Sequence, residues 1–517
     1  MANPDVTFVA KSFMEHLPVY QVLIPFVSAP ICVLFGNRKF AWYLTFLACF
    51  ISFIISILLL NQVAEFGTIS YALGGWPPPI GIEYRIDFLN AFLLVLVSGM
   101  ALLTSVYLKG TIDLEVERSN QTLFLTCLLL CVSGLLGVLI TGDAFNLFVF
   151  LEISSLSTYV LVAQGANKDR RALTAAFDYL IMGTIGATFF VIGLGFLYAA
   201  TGTLNMSDIA ERIQGDLPDR TIQVAFAFIL VGLGLKGALF PLHTWLPKAY
   251  SFSPTPAAVF LASTATKVAI YAIVRFLFSV FFSHPTMLET VLVNVVMPLG
   301  ILAMFVAGGI AFYQRDLKRM LAFSSVSQIG YILVGLSFMS SKGLTAAIIH
   351  LFNHGITKGL LPAFSLAWVG VVAIVVQGGL IGKLVKSFGE WRLTMSGIGF
   401  VFAGCLLLVI ANEGNAIPLV FTACSLLAIG SGLVVPCLRA IISKKLTTSG
   451  QGAILGNLQG LQSLGSFIGI ASAGVAYKEL GPSSPFWLGM VMLIGVGTLI
   501  AGTPQITTKK DNPFQPN

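Results

Sequence analysis

Long apolar runs alternate with short polar segments along almost the whole chain. Candidate runs lie at approximately 17–36, 41–60, 86–108, 122–140, 144–163, 176–198, 222–241, 256–275, 288–312, 321–338 and 344–361, with a second set at about 363–382, 393–411, 416–435, 455–477 and 485–502. A helix of about 18 or more apolar residues reaches across a hydrocarbon layer roughly 30 Å thick. In that layer every peptide group must find its partner inside its own segment. The pattern therefore predicts an all-α, polytopic transmembrane helical bundle of about 16 hydrophobic spans. Span seven, 222–241, ends at Pro241, and His243, Pro247, Pro254 and Pro256 follow closely. Pro241 removes a backbone donor, so a discontinuous helix is expected there, with free carbonyls and amides to hold ions and water; a plain proline kink is the bland alternative.

Composition excludes a soluble protein with a large core: 56% of 517 residues are hydrophobic and 10% charged, where soluble domains carry about 25% charged. The net charge of +7 belongs to loops rather than to a nucleic-acid surface. Arg38 and Lys39, then Lys168, Arg170 and Arg171, then Arg315, Lys318 and Arg319 all follow odd-numbered spans. The positive-inside rule puts that side in the cytoplasm and the N-terminus outside. Segment 201–221, with four acidic and two basic residues, falls outside. Asp5, Lys11 and Glu15 interrupt the first 16 residues, which offer no signal-peptide cleavage site. The seven cysteines are scattered; Cys127 and Cys131 lie one turn apart without a partnering pair, so no metal site is expected.

Charges at membrane depth cost a few kcal/mol or more unless paired or hydrated. Glu152 sits in span five, Lys236 in span seven and Lys267 in span eight. A structural ion pair or a snorkelling lysine explains any one of them; three on nearby helices favour an ion path. Span eleven reads His350-Leu-Phe-Asn-His354-Gly-Ile-Thr-Lys358. Positions i, i+4 and i+8 share a helical face, aligning three protonatable groups over about 12 Å. Histidine passes protons near neutrality. A core histidine is the alternative for either alone, and a metal at His350 and His354 lacks a supporting carboxylate or thiolate.

The strings Phe145-Asn-Leu-Phe-Val-Phe-Leu-Glu-Ile, Leu235-Lys-Gly-Ala-Leu-Phe-Pro-Leu-His-Thr-Trp-Leu-Pro and Asp316-Leu-Lys-Arg-Met-Leu-Ala-Phe-Ser-Ser-Val-Ser-Gln-Ile-Gly-Tyr resemble the proton-antiporter module. That family includes the large A-type and D-type proteins of Mrp-type cation/proton antiporters and the antiporter-like subunits of respiratory complex I. Gly74-Gly-Trp-Pro-Pro-Pro-Ile-Gly-Ile and a lysine at Lys267 tilt the resemblance toward the D-type branch, over about residues 15–361. It implies that Glu152 pairs with Lys236 and that Lys236 carries the proton at the broken helix, with Pro241 and His243 in support. Lys267 would relay toward the centre of the membrane plane, and His350, His354 and Lys358 would continue the axis. No dinucleotide, flavin or iron–sulfur motif is present, so no cofactor is expected and any electron chemistry belongs to a partner.

After Leu361 the resemblance changes. The family continues with a second broken helix bearing a central charge, which 363–382 lacks. Gly378-Gly-Leu-Ile-Gly-Lys-Leu-Val-Lys-Ser-Phe-Gly, Gly430-Ser-Gly-Leu-Val-Val-Pro and Ser449-Gly-Gln-Gly-Ala-Ile-Leu-Gly resemble the C-terminal helices of a tetracycline-efflux-like major facilitator. The expected division is 1–361 antiporter module, 362–502 facilitator-like helices and 503–517 polar tail. A crossing at 363–382 would carry Lys383 and Lys386 outside, one crossing out of step with a facilitator. The expected function is a multi-pass subunit of a sodium/proton antiporter complex in a bacterial inner membrane, in contact with other complex subunits, protons, monovalent cations and lipid. The alternatives are a proton-pumping subunit of an NADH:quinone oxidoreductase or membrane hydrogenase, a facilitator-type drug/proton antiporter, and an inactive fusion.

Overall fold

The structure, a computed structural model, describes residues 14–214, 219–314, 316–373, 381–410 and 484–502, with isolated positions between 426 and 472. The runs fold as helices α1 Leu17–Phe35, α2 Arg38–Phe66, α3 Phe88–Glu115, α4 Gln121–Ile140, α5 Ala144–Ala163 and α6 Arg171–Thr201, followed by the short α7 Met206–Arg212. Span seven is helical only as α8 Arg220–Lys236, with a separate short helix α9 Trp245–Phe252 after the unwound stretch at Pro241, and span eight is split into α10 Thr255–Ser263 and α11 Ala265–Arg275. Then come α12 Pro285–Val291, α13 Met297–Phe312, α14 Leu317–Ser337, α15 Ser341–Ala373, α16 Ile381–Ile410 and α17 Ser484–Gly502.

Polar residues between the runs set the helix starts. The Asn37 side chain accepts from Lys39 N at 3.0 Å, Asp143 from Asn146 N at 2.7 Å and Asp316 from Arg319 N at 2.8 Å, each satisfying an amide that the first turn leaves unpaired. Asp87 and Asn90 form a reciprocal capping box on α3. Helix α4 is buried on nearly all sides, against α1, α3, α5 and α11, and α10 and α11 are buried likewise.

Among the described residues nine helices are long and apolar enough to cross a membrane, fewer than the expected sixteen. Part of the difference is physical, and part lies outside the described residues. The break after Lys236 leaves α8 with 17 residues, too short for the length criterion. The runs 344–361 and 363–382, counted as separate crossings, begin as one helix: α15 continues unbroken through Pro362 to Ala373, as transmembrane helices tolerate. The candidate spans 416–435 and 455–477, like Arg315 and the 503–517 tail, lie outside the described residues.

A feature the pattern did not announce is an antiparallel hairpin, β1 Ile69–Ala72 with β2 Glu83–Ile86. The chain divides into two compact units, Met1–Ser365 and Leu366–Asn517. In the second, α16 packs on α17, and Gly389 (φ 76°) supplies the left-handed residue that bends α16.

Candidate functional site

The first cluster forms where α8 stops. Lys236 is its last residue, and the chain turns through Ala238 (φ 54°) before α9 begins. The Trp245 indole donates to the Leu235 carbonyl at 3.0 Å, taking up one acceptor that the helix end leaves free. The Lys236 ammonium also lies at the helix terminus where the backbone dipole favours a cation. It donates to Glu152 Oε1 at 2.7 Å and to Ser155 Oγ at 2.6 Å. Glu152 and Ser155 are three residues apart on α5 and so share a face.

The second cluster forms at a second break, which the apolar pattern did not reveal. Thr264 (φ −123°, ψ −56°) separates α10 from α11, and Lys267 follows within one turn. It is fully buried and donates to the Ala262 carbonyl and, at 3.4 Å, to Thr266 Oγ1. Among the described residues no carboxylate pairs with it. Helix α15 reaches this break through two glycines: a Cβ on Gly355 would lie 3.0 Å from the Ser263 carbonyl oxygen, and one on Gly359 3.2 Å from Ser263 Cβ. That approach sets His354 and Lys358 in the charge field of Lys267, and His350 with them. The rings of His350 and His354 lie parallel, 6.4 Å apart, and Lys358 donates to the Leu321 carbonyl at 2.9 Å. Both ring nitrogens of His354 are buried without a protein partner, a polar surface at mid-membrane that calls for water or a proton donor.

Six of the expected residues thus fall into two groups, Glu152 with Lys236 and Lys267 with His350, His354 and Lys358. The breaks carrying them are close, since a Cβ on Gly237 would touch Ala269 Cβ at 3.7 Å. Pro241 lies in the unwound segment between α8 and α9. His243 does not join either group; its ring stacks on Phe240 at 5.2 Å and meets Phe323 edge-on.

Two cavities open toward opposite ends. On the side of the basic loops, one of about 540 Å³ is lined by Glu115, Lys168, Asp169, Lys318 and Arg319 among others. Arg171 holds the Asp169 carboxyl below its ordinary value there, and Glu115 caps α10 by accepting from Thr255 Oγ1 at 2.6 Å. On the other side, one of about 340 Å³ is lined by Arg85, Asp87, Thr141, Ser207 and Arg275. Arg275 donates to Asp87 Oδ2 at 2.6 Å and Oδ1 at 3.1 Å. Burial pushes the Asp87 carboxyl up, but Arg275 and the first amides of α3 outweigh it and hold it below its ordinary value. Helical spacing puts Lys267, Tyr271 and Arg275 on one face, but no sequence signal pairs Arg275 with Asp87, 188 residues away.

Residues 141–372 match the family described as NADH:quinone oxidoreductase/Mrp antiporter, transmembrane. The chain is 41% identical to an NADH-quinone oxidoreductase protein of Desulforudis audaxviator, the N subunit, over 74% of this chain and 77% of that protein. It is 31% identical to the D subunit of the Na(+)/H(+) antiporter of Alkalihalophilus pseudofirmus, over 81% of this chain and 85% of that one. A protein of an archaeal membrane-bound sulfane sulfur reductase shares the fold with a TM-score of 0.64 and 25% identity, over 94% of this chain and 98% of that one. A protein of the Mrp complex from a Dietzia species does so at 0.60 and 23%, over 82% of this chain and 79% of that one.

Proposed function

Because this chain belongs to the NADH:quinone oxidoreductase/Mrp antiporter membrane-subunit family, we propose that it exchanges monovalent cations, sodium foremost, for protons as one subunit of a larger complex in a bacterial inner membrane. Protons enter from the 540 Å³ cavity, load Lys236 against Glu152, and pass to Lys267 and the His350–His354–Lys358 row. Water fills the gap between the two groups. The chain itself carries out no bond-making chemistry; its work is to hold and hand on a charge. Lysine protonated at one site disfavours charge at the next, so occupancy is coupled along the row.

The observation that carries this reading is the Glu152–Lys236 pair at 2.7 Å, placed where a helix ends inside the membrane. Such a pair is a poor source of stability, because removing both charges from water offsets most of their attraction. A transport role explains its position better. In inverted vesicles containing the full complex, Lys236→Ala is expected to reduce sodium-dependent proton flux to background. Undiminished flux would sink the relay.

A second reading is favoured by the 41% identity to an NADH-quinone oxidoreductase protein: the same relay driven by redox changes in a neighbour. Subunits that co-purify with the chain discriminate between the two. The proposed division at residue 361, with facilitator-like helices at 362–502, is tested on the native gene and transcript across codons 355–370. A continuous transcript and a stable full-length membrane protein make the fusion genuine; a break, a frameshift or two separate genes there leaves the antiporter module intact and makes the C-terminal third irrelevant to its function.

A further inference from the structure

The proposed relay leaves Lys267 facing the outer side along its own helix. Lys267, Tyr271 and Arg275 stand on one face of α11, and the two steps between them rise about 12 Å. Tyr271 is buried, and its hydroxyl donates to the Leu139 carbonyl at 2.9 Å. That same hydroxyl accepts from Arg275 Nε at 3.1 Å and from its second terminal nitrogen at 2.9 Å. The remaining donors of Arg275 grip both oxygens of Asp87. Asp87 is fixed in turn by its capping box with Asn90, whose amide donates to the Leu139 carbonyl at 2.9 Å. The ring of bonds closes on itself across α3, α4 and α11, and the outer cavity begins on its far side.

A fork-on-carboxylate pair fixes geometry in two directions at once. It also sets a permanent positive charge between a protonatable lysine and the outer medium. Asp87 balances that charge, and with the donors of the fork engaged the closed pair leaves a hydrated proton no free group to cross by in a narrow, poorly hydrated passage.

We propose that the Asp87–Arg275 pair, braced by Tyr271, is an electrostatic plug that separates the outer cavity from Lys267, so that outer protons reach the relay only when the pair parts. The plug rests on the relay reading, in which Lys267 holds a proton, and adds a boundary that the relay itself does not specify.

The test is passive proton conductance down an imposed pH gradient, without sodium, in vesicles carrying the full complex. Arg275→Gln is expected to raise conductance about tenfold, equivalent to a modest lowering of one barrier. Arg275→Lys, which keeps the charge, is expected to stay tight. The exchanged pair Asp87→Arg with Arg275→Asp is expected to restore tightness, and adding Lys267→Met to Arg275→Gln to remove the leak. A folded Arg275→Gln complex that stays tight overturns the plug, as does a leak that persists in Lys267→Met. Sodium-dependent exchange is measured separately, so survival of exchange in Lys236→Ala would overturn the relay and leave the leak result to judge the barrier.

Discussion

The two mid-membrane lysines sit at similar breaks and are satisfied in different ways. Lys236 has a carboxylate at 2.7 Å and a hydroxyl at 2.6 Å. Lys267, more deeply enclosed, has a carbonyl and a distant hydroxyl, and the carboxylate that its helix does reach, Asp87, is bound to Arg275 two turns away. One charge is thus compensated on the spot, while the other, among the described residues, meets only dipoles. Two lysines in one row need not, then, hold a proton in the same way. In the proposed relay the first site is a store, where loading and pairing are the same event. In that relay the second is a waypoint, held by a carbonyl and a hydroxyl beside other protonatable groups.

Substitutions probe this contrast, beginning with the one of greatest consequence. Glu152→Gln leaves Lys236 buried without its counter-ion, and breaking one side of a buried pair is expected to cost about 3 kcal/mol of stability, read as a fall in the thermal midpoint of the purified complex. A midpoint unchanged by the substitution would show that water, not Glu152, compensates Lys236. The reverse is expected at the second site. Lys267→Met removes a buried charge that has no counter-ion and fills its volume, so stability should hold or rise by about 1 kcal/mol while proton flux is lost. A large fall there would reveal a compensating partner beyond the carbonyl.

A slighter effect extends the contrast to pH. Asp87 lies lower in the folded protein than in the unfolded chain, where a carboxyl titrates at about 3.9, so its contribution is complete above that value and is lost as pH falls through the folded value. Its charged partner in the fold is Arg275, at 2.6 Å. The thermal midpoint should therefore be flat down to about pH 4 and drop below it, and Asp87→Asn should flatten part of that drop. A profile identical in the variant would detach Asp87 from acid stability.

Much of the first site was legible in the sequence. Glu152, Lys236 and Pro241 stand out because charges and prolines inside apolar runs are costly and rare. The His350–Lys358 row was legible from helical spacing alone. The break at Thr264 was not, because Ser263, Thr264 and Ala265 carry no proline or glycine; the glycines that let α15 approach it, Gly355 and Gly359, lie about ninety residues downstream. Arg275 and Asp87 sat at the ends of their runs, where charges read as ordinary anchors, and only the tertiary fold brings them together. The hairpin escaped for a related reason, since four-residue strands between long apolar runs leave little periodicity to detect.

That hairpin ties together pieces of chain that reach the outer side at different times. Glu83 accepts from Ser70 within the hairpin and from Asn205 far downstream, Tyr84 bridges to Thr141, and Asp143 bridges to Asn205. During synthesis the bonds to Asn205 cannot close until the sixth helix has emerged and its following loop has been exported. A chain inserted with one segment inverted would leave the Glu83 carboxylate without its Asn205 amide, so this contact can form only when the first six helices are correctly placed. Selection on Glu83 and Asn205 would then act on how many copies survive insertion, and not on how fast each copy turns over.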